Sequence, residues 1–460
     1  MKVLQEKHKL ATRWFHWLNF PLLLAMIYSG LVIYWAYDPY RVGVGNVTLF
    51  HFFPDWFYGF FGLGQQLAYG MALHFTLAWL FAINGVAYVL YTLISGEWRE
   101  LAPDRNSPRE ALQVAMHDAG FNVPLPPQGR YNAAQRITYT AIVLMGGLSL
   151  VTGLAIYKPV QIHWLTAALG GYQWARLEHF CLTLGYVAFF AIHIAQVARA
   201  GWANFRAMVS GWDLAESETS LAWRTRRSFI GLGVGAVAAL GGWKWLNTPG
   251  SEEADTPPHL RSVLGFNERV VRSAVYGNAH LVPTFPASAI RPLKKNGDFG
   301  IMEEIDLNEW RLEVVPMGAE DKAAKLTLAE IQTLPKVEQT FEFKCIEGWS
   351  VVTSFAGARL ADFTAKYAAG SEQAAFVGMK TPDETYYIGI DMPGALHPQT
   401  LLAYEMNGQP LTPEHGAPLR LVVPVKYGIK NIKRIGRIEY TNERPDDYWA
   451  EYGYDYYAGL

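Results

Sequence analysis

Long apolar runs alternate with short charged stretches up to about residue 246, after which the chain changes character. Four runs, at 14–36, 67–94, 137–157 and 177–198, approach or exceed the roughly 20 mainly apolar residues that a helix needs to cross a bilayer. A fifth, at 229–246, is shorter and rich in glycine. Beyond it the pattern shortens to β-rich runs such as RLEVVPM, FEFKCIEGWSVV, TYYIGIDM and LRLVVPV, separated by Gly, Pro and Asn. Helical stretches such as TLAEIQTL and RLADFTAKYA intervene. The pattern predicts an all-α membrane bundle of four helices with a fifth anchoring helix, followed by an α+β, mainly β, domain. The expected boundaries are 1–211 for the bundle, 212–259 for the fifth helix and a polar linker, and 260–460 for the outer domain.

Loop charges orient the spans. Lys2, Lys7, Lys9 and Arg13 precede the first; Arg99, Arg105, Arg109, Arg130 and Arg136 lie between the second and third; Arg199, Arg206, Arg224, Arg226 and Arg227 follow the fourth. The alternate loops hold few such charges, so the positive-inside rule places the N-terminus in the cytoplasm. Five spans then leave the last domain outside, in the periplasm of a cell with two membranes. The aromatic stretch FHFFPDWFYGFFG (50–62) suits an interfacial segment on that outer face. The net charge of −2 implies no bulk attraction to nucleic acid. The two cysteines, Cys181 in an apolar run and Cys345 in the outer domain, form no disulfide framework.

Ionisable residues inside spans are costly and ask for a reason. Four histidines qualify: His16, His74, His179 and His193. His179 and His193 share a span and are 14 residues apart. That separation is nearly four turns, so both project from one face, ~21 Å apart along the axis. Orientation matches His74 in depth with His179 and His16 with His193. One such histidine alone would read as a hydrogen-bonded core residue. Four in matched pairs are what two b-type haems require, each iron held by two histidines with no position open to substrate.

The segments TRWFHWLN (12–19), ALHFTLAWLF (72–81) and RLEHFCLTLGYVAFFAIHIAQV (176–197) resemble the di-haem membrane cytochromes b that serve hydrogenases and formate dehydrogenases. The resemblance covers the first 211 residues or so. It implies haem ligation by His16, His74, His179 and His193 in the same pairs, and electron exchange with a membrane quinone. Farther on, TRRSFIGLGVGAVAALGG (225–242) resembles a twin-arginine export signal in an internal position, of the kind used by proteins exported already folded around a cofactor.

Cys345 by itself reads three ways: a small buried packing residue, a nucleophile needing a base, or a soft thiolate ligand. FKCIEGWSVV together with LHPQTLLAYEMNGQPLTPEHGAPLRLVVPVKYGIKNIKRI (396–435) resembles the sulfite-oxidase fold, which carries molybdenum on molybdopterin. The resemblance implies that Cys345 ligates molybdenum. It also implies that His415 and Arg420 contact the pterin and that Lys433 lies at its phosphate beside the Asn431 and Ile432 backbone. Thr381 matches a further cofactor contact, and Asn267 and Glu268 match an early cofactor-contacting segment.

Sulfite oxidases place an arginine five positions after the ligand cysteine; here that position is Ser350. CIEGWS is closer to the bacterial periplasmic protein-methionine-sulfoxide reductases, although FNERVVRSAVYGNAHLVPTFP (266–286) departs from them. The expected activity is therefore reduction of an S-oxide or N-oxide by electrons from quinol, passed through two haems to molybdenum. Oxidation of a sulfur oxyanion with electrons sent to quinone is the first alternative, and a non-catalytic cytochrome with a docking domain the second. Expected partners are quinone, lipid and a small-molecule or protein-bound oxide substrate, with a homodimer left open.

Overall fold

The computed structural model describes residues 2–45, 47–126, 131–216, 241–242, 244, 256–277 and 280–460. The expected fifth span, apart from positions 241, 242 and 244, and the twin-arginine stretch lie outside the described residues. Two compact units emerge. One comprises Met1–Ser29, His74–Ile156 and Leu165–Thr248; the other comprises Gly30–Leu73, Tyr157–Trp164 and Pro249–Leu460. The outer domain thus shares its unit with the chain linking the first two spans and with the start of the chain linking the third and fourth.

Among the described residues four helices are long and apolar enough to cross a membrane: α1 (Leu10–Tyr34), α2 (Leu67–Ser95), α3 (Ala133–Tyr157) and α4 (Tyr172–Ser210), with mean hydropathy of 1.6 to 1.9 in their most apolar stretches. Their outward faces carry Leu80, Ile83, Leu144 and Ile192, apolar side chains that a bilayer would cover. Within α4 the helical path breaks at Gly201, where φ is 80°, a conformation that costs glycine little. The break follows the expected end of the fourth span at 198. The short helix beyond it lies under α1: Arg13 Nη1 donates to the Val209 carbonyl at 3.0 Å and Trp17 Nε1 to that of Met208 at 3.2 Å. Strand Lys2–Glu6 pairs antiparallel with Trp212–Glu216, joining the chain before α1 to the chain after α4.

The other unit is built on two five-stranded sheets. Its strands are β1 (Leu312–Val315), β2 (Ala324–Leu326), β3 (Lys336–Lys344), β4 (Ser350–Arg359), β5 (Phe376–Lys380), β6 (Tyr387–Asp391), β7 (Leu401–Met406), β8 (Gln409–Pro410), β9 (Arg420–Val422) and β10 (Arg437–Thr441). One sheet runs β6-β5-β10-β1-β2, with β10 and β1 parallel; the other runs β8-β7-β4-β3, and β9 also pairs with β7. Along β3, Gln339, Phe341 and Phe343 point inward in the period of two that a half-buried strand requires. Phe341, Phe355, Phe363, Leu401 and Ile438 fill the core between the sheets. Helix α5 (Pro258–Ala274) leads into this unit.

The 30–73 stretch folds as a hairpin, Arg41–Val44 with Val47–His51, followed by a helix over Asp55–Phe61. Val44, Leu49, Trp56 and Phe60 are exposed, as an interfacial segment would have them. Tyr37 packs against the core of the outer domain, and Val160 from the 157–164 stretch lies inside that core.

Candidate functional site

The bundle brings its histidines together in the two expected pairs. Ring centroids of His74 and His179 are 6.2 Å apart, and those of His16 and His193 are 6.0 Å apart. Two imidazoles on opposite sides of one metal, each bonded at about 2 Å, place their centroids about 6 Å apart, so both gaps have the right span for one iron. The pair of His74 and His179 is also fixed in tautomer. Ser29 donates its hydroxyl to the Met26 carbonyl at 3.0 Å, and its oxygen lies 2.9 Å from His74 Nδ1. Thr152 donates to the Leu148 carbonyl at 2.8 Å, and its oxygen lies 2.9 Å from His179 Nδ1. A hydroxyl whose single proton is already given away accepts from Nδ1–H, leaving Nε2 with the lone pair a metal needs. The second pair lacks this arrangement: His16 Nδ1 is buried without a hydrogen-bond partner, and His193 stacks on Phe189 at 5.3 Å.

In the outer domain, β3 and β4 are joined by a tight turn whose first residue is Cys345. Its N–H donates to the Trp349 carbonyl at 3.0 Å, and its own carbonyl accepts from Gly348 N–H at 3.0 Å. Gly348, at φ 105°, allows the chain to reverse this sharply. The turn leaves Cys345 buried at the wall of a cavity of about 550 Å³. Burial, and then the Glu347 carboxylate, push the thiol up to about 12, so an unliganded Cys345 stays protonated and metal loading would release its proton.

His415, Arg420, Asn431 and Lys433 line the same cavity. The buried Arg420 guanidinium donates to the carbonyls of His415 at 3.1 Å and Asn431 at 3.3 Å, while its Nε has no partner. His415 Nδ1 is likewise buried and unpartnered. Burial pushes Arg420 down to about 10; burial and the Arg420 charge push Lys433 down to about 8. Two cations beside an unpartnered Arg420 Nε and His415 Nδ1 suit a phosphate-bearing group. Lys433 Nζ meanwhile donates to the carbonyls of Asn296 and Gly297, each at 2.9 Å.

Four expected residues lie away from the cavity lining. Ile432 is fully buried, its carbonyl accepting from Leu421 N–H at 3.0 Å. The Thr381 hydroxyl is committed to a turn, donating to Asp383 at 2.6 Å and accepting from Tyr386 N–H at 3.2 Å. Asn267 and Glu268 sit on α5, where Asn267 bonds Tyr157 and Glu268 pairs with Arg272 at 3.4 Å. Residues the sequence reading did not single out complete the cavity. Asn296 Nδ2 lies 3.6 Å from Cys345 Sγ and 3.4 Å from Glu347 Oε1, and Trp349 Nε1 donates to Glu347 Oε2 at 2.7 Å. Trp35, Asp55 and Gln65 join them from the 30–73 stretch. Among the described residues no three His, Cys, Asp or Glu side chains converge as a bare metal ion would require.

Residues 7–211 match the prokaryotic cytochrome b561 family, and residues 299–449 match the oxidoreductase molybdopterin-binding domain. A putative protein-methionine-sulfoxide reductase subunit, YedZ1 of Azospira oryzae, is 35% identical over 239 residues, 51% of this chain and 87% of the relative. The protein-methionine-sulfoxide reductase catalytic subunit MsrP of Campylobacter jejuni is 29% identical over 257 residues, 52% of this chain and 81% of the relative. Among solved structures, the sulfane dehydrogenase SoxCD of Paracoccus pantotrophus is 20% identical, with a TM-score of 0.28 over 31% of this chain and 40% of that one.

Proposed function

The chain belongs to the cytochrome b561 and molybdopterin-binding oxidoreductase families, fused in one polypeptide, and on that premise we propose that it is a quinol-dependent reductase of S-oxides or N-oxides. The reaction breaks an S–O or N–O bond, consumes two electrons and two protons and releases water. Quinol, oxidised to quinone, supplies both electrons. The bundle, 1–211, takes them from the bilayer; the outer domain, 260–460, uses them on the periplasmic side, with the N-terminus in the cytoplasm and 212–259 as anchor and linker.

The residues fit the groups the families carry. His74 with His179 and His16 with His193 would hold two b haems, since each ring pair is spaced for one iron. Ser29 and Thr152 hold one pair with Nε2 inward. Cys345 would ligate molybdenum. His415, Arg420 and Lys433, with the backbone near Asn431, would hold the pterin and its phosphate, matching the unfilled Arg420 Nε and His415 Nδ1. Bound there, these groups supply one-electron carriage in the bundle and two-electron oxygen-atom exchange in the cavity. The chain contributes ligation, orientation and the charge of the walls.

The direction of the reaction is carried by what stands beside Cys345. Position 350 is a serine whose hydroxyl donates to Glu342 at 2.6 Å, and the carboxylates of Glu347 and Asp55 line the cavity. With Arg420 and Lys433 occupied by the cofactor's phosphate, these carboxylates would repel a sulfur oxyanion and leave a neutral oxide unaffected. Lys294, also in the lining, is the feature that favours the opposite reading, oxidation of a small sulfur oxyanion.

The test is optical. Molybdenum-loaded protein is reduced with a quinol analogue without oxygen, methionine sulfoxide is added, and the b-type bands are followed. Rapid reoxidation that is lost in Cys345→Ser supports the proposal. Haems that stay reduced with every oxide tried, but are reduced by sulfite when first oxidised, would reverse it.

A further inference from the structure

We infer that the chain between the first two spans, residues 35–67, forms the outer wall of the catalytic cavity and restricts it to small-molecule oxides, a reading that rests on the reductase function proposed above. Trp35, Asp55, Gln65 and Leu67 line the cavity that Cys345 opens onto, and the whole stretch belongs to the same compact unit as the outer domain. The wall is fastened at both ends. Tyr37 packs against the domain core, and at the other end Ala68 stands 3.8 Å from the Cβ position of Gly453. Between these points Trp35 rests on Gly64, whose Cβ position is 3.2 Å from the indole nitrogen, so a side chain there would push the ring away.

Volume and charge then select the substrate. About 550 Å³ is within the range of a single small-ligand site, yet the space must hold the inner face of a cofactor and the substrate together. A free sulfoxide enters as a compact molecule. A sulfoxide inside a protein brings two flanking lengths of backbone, which would have to pass the indole of Trp35 and the side chain of Gln65. The carboxylates of Asp55 and Glu347 add a preference for neutral or cationic oxides.

The full-length, molybdenum-loaded protein with quinol-reduced haems is offered dimethyl sulfoxide, free methionine sulfoxide and peroxide-oxidised casein. The small oxides are expected to exceed casein in kcat/KM, per sulfoxide, by about a hundredfold. Trp35→Ala and Gln65→Gly should each narrow that ratio by about tenfold. Gln65 sits at φ 59°, so glycine there relieves the backbone while trimming the wall, and an unchanged molybdenum content reports that the outer domain of the variant has folded. Casein turned over as fast as the small oxides, or a ratio that neither variant moves, would overturn the wall. Failure of all three oxides would instead overturn the reductase reading. A second measurement needs no turnover. In Cys181→Ser protein made without the cofactor, Cys345 should bind p-chloromercuribenzoate and exclude an arylmercurial linked to a polyethylene glycol of protein size. Trp35→Ala should admit the larger reagent, and equal labelling by both reagents in the parent would refute the restriction.

Discussion

The bundle and the outer domain each present candidate metal ligands, but they position them by different means. In the bundle, His74 on α2 faces His179 on α4, and His16 on α1 faces His193 on α4, across helices whose outer surfaces are largely open to lipid. Helix periodicity and depth set those positions, with two hydroxyls refining one pair. In the outer domain Cys345 is placed by a single tight turn within a dense two-sheet core, and its neighbours in the cavity come from five separate parts of the chain. Ligands set by periodicity can be lost one site at a time. A ligand set by packing depends on the whole domain.

The largest expected effect separates the regions completely. Cys345→Ser should abolish oxide-driven haem reoxidation, a loss of at least about a thousandfold, while both haem signals persist. Residual wild-type turnover would remove the ligand assignment. His179→Ala is the converse: one of two haems should be lost from the spectrum, quinol-driven turnover should stop, and molybdenum content should be unchanged. Retention of both haems would dissolve the pairing.

A third variant probes packing. Lys430 and Asp447 form a buried ion pair, and Asp447 also accepts from the N–H groups of Gly389 at 3.1 Å and Ala450 at 3.0 Å. Asp447→Ala strands a buried lysine and should cost the outer domain about 3–5 kcal/mol in chemical denaturation, without altering the haem spectrum. An unchanged midpoint would show that the pair contributes nothing. The smallest effect sharpens the contrast within the bundle itself. Thr152→Val removes one acceptor for His179 Nδ1–H and leaves the Ser149 backbone as the other, weakening the ligand as a donor, so the potential of that haem should rise by up to about 60 mV, a tenfold change in its oxidation equilibrium. The haem at His16 and His193 should not move. A redox titration in which both move equally would rule out local control.

The same contrast explains what the sequence could disclose. The four spans and both histidine pairs follow from local periodicity and matched depth, which one sequence displays in full. Cys345, His415, Arg420 and Lys433 carried enough spaced motif to be recognised. Ile432 lies between two cavity residues with its side chain buried in the core, and the resemblance implied a role for its backbone alone. Thr381 reads as a contact, yet its hydroxyl closes a turn. Asn267 and Glu268 occupy a helix beside Tyr157, away from the cavity. Asn296 has a faint signal in KKNGDFG, an Asn-Gly turn behind two lysines, but nothing in that string points to Cys345. The contribution of Trp35, Asp55 and Gln65 could not be read, because it depends on which surface of a distant domain that loop meets.

The strand pair that joins Lys2–Glu6 to Trp212–Glu216 sets an order on biogenesis. Its first half leaves the ribosome before any of the four described spans, and its second half emerges only after all of them. The first strand must therefore wait, unpaired, while the helices are threaded into the bilayer, and a long loop must close when its partner arrives. Pairing becomes a checkpoint at the end of synthesis of the electron-carrying part: a chain stalled before residue 212 can insert its helices but cannot latch them.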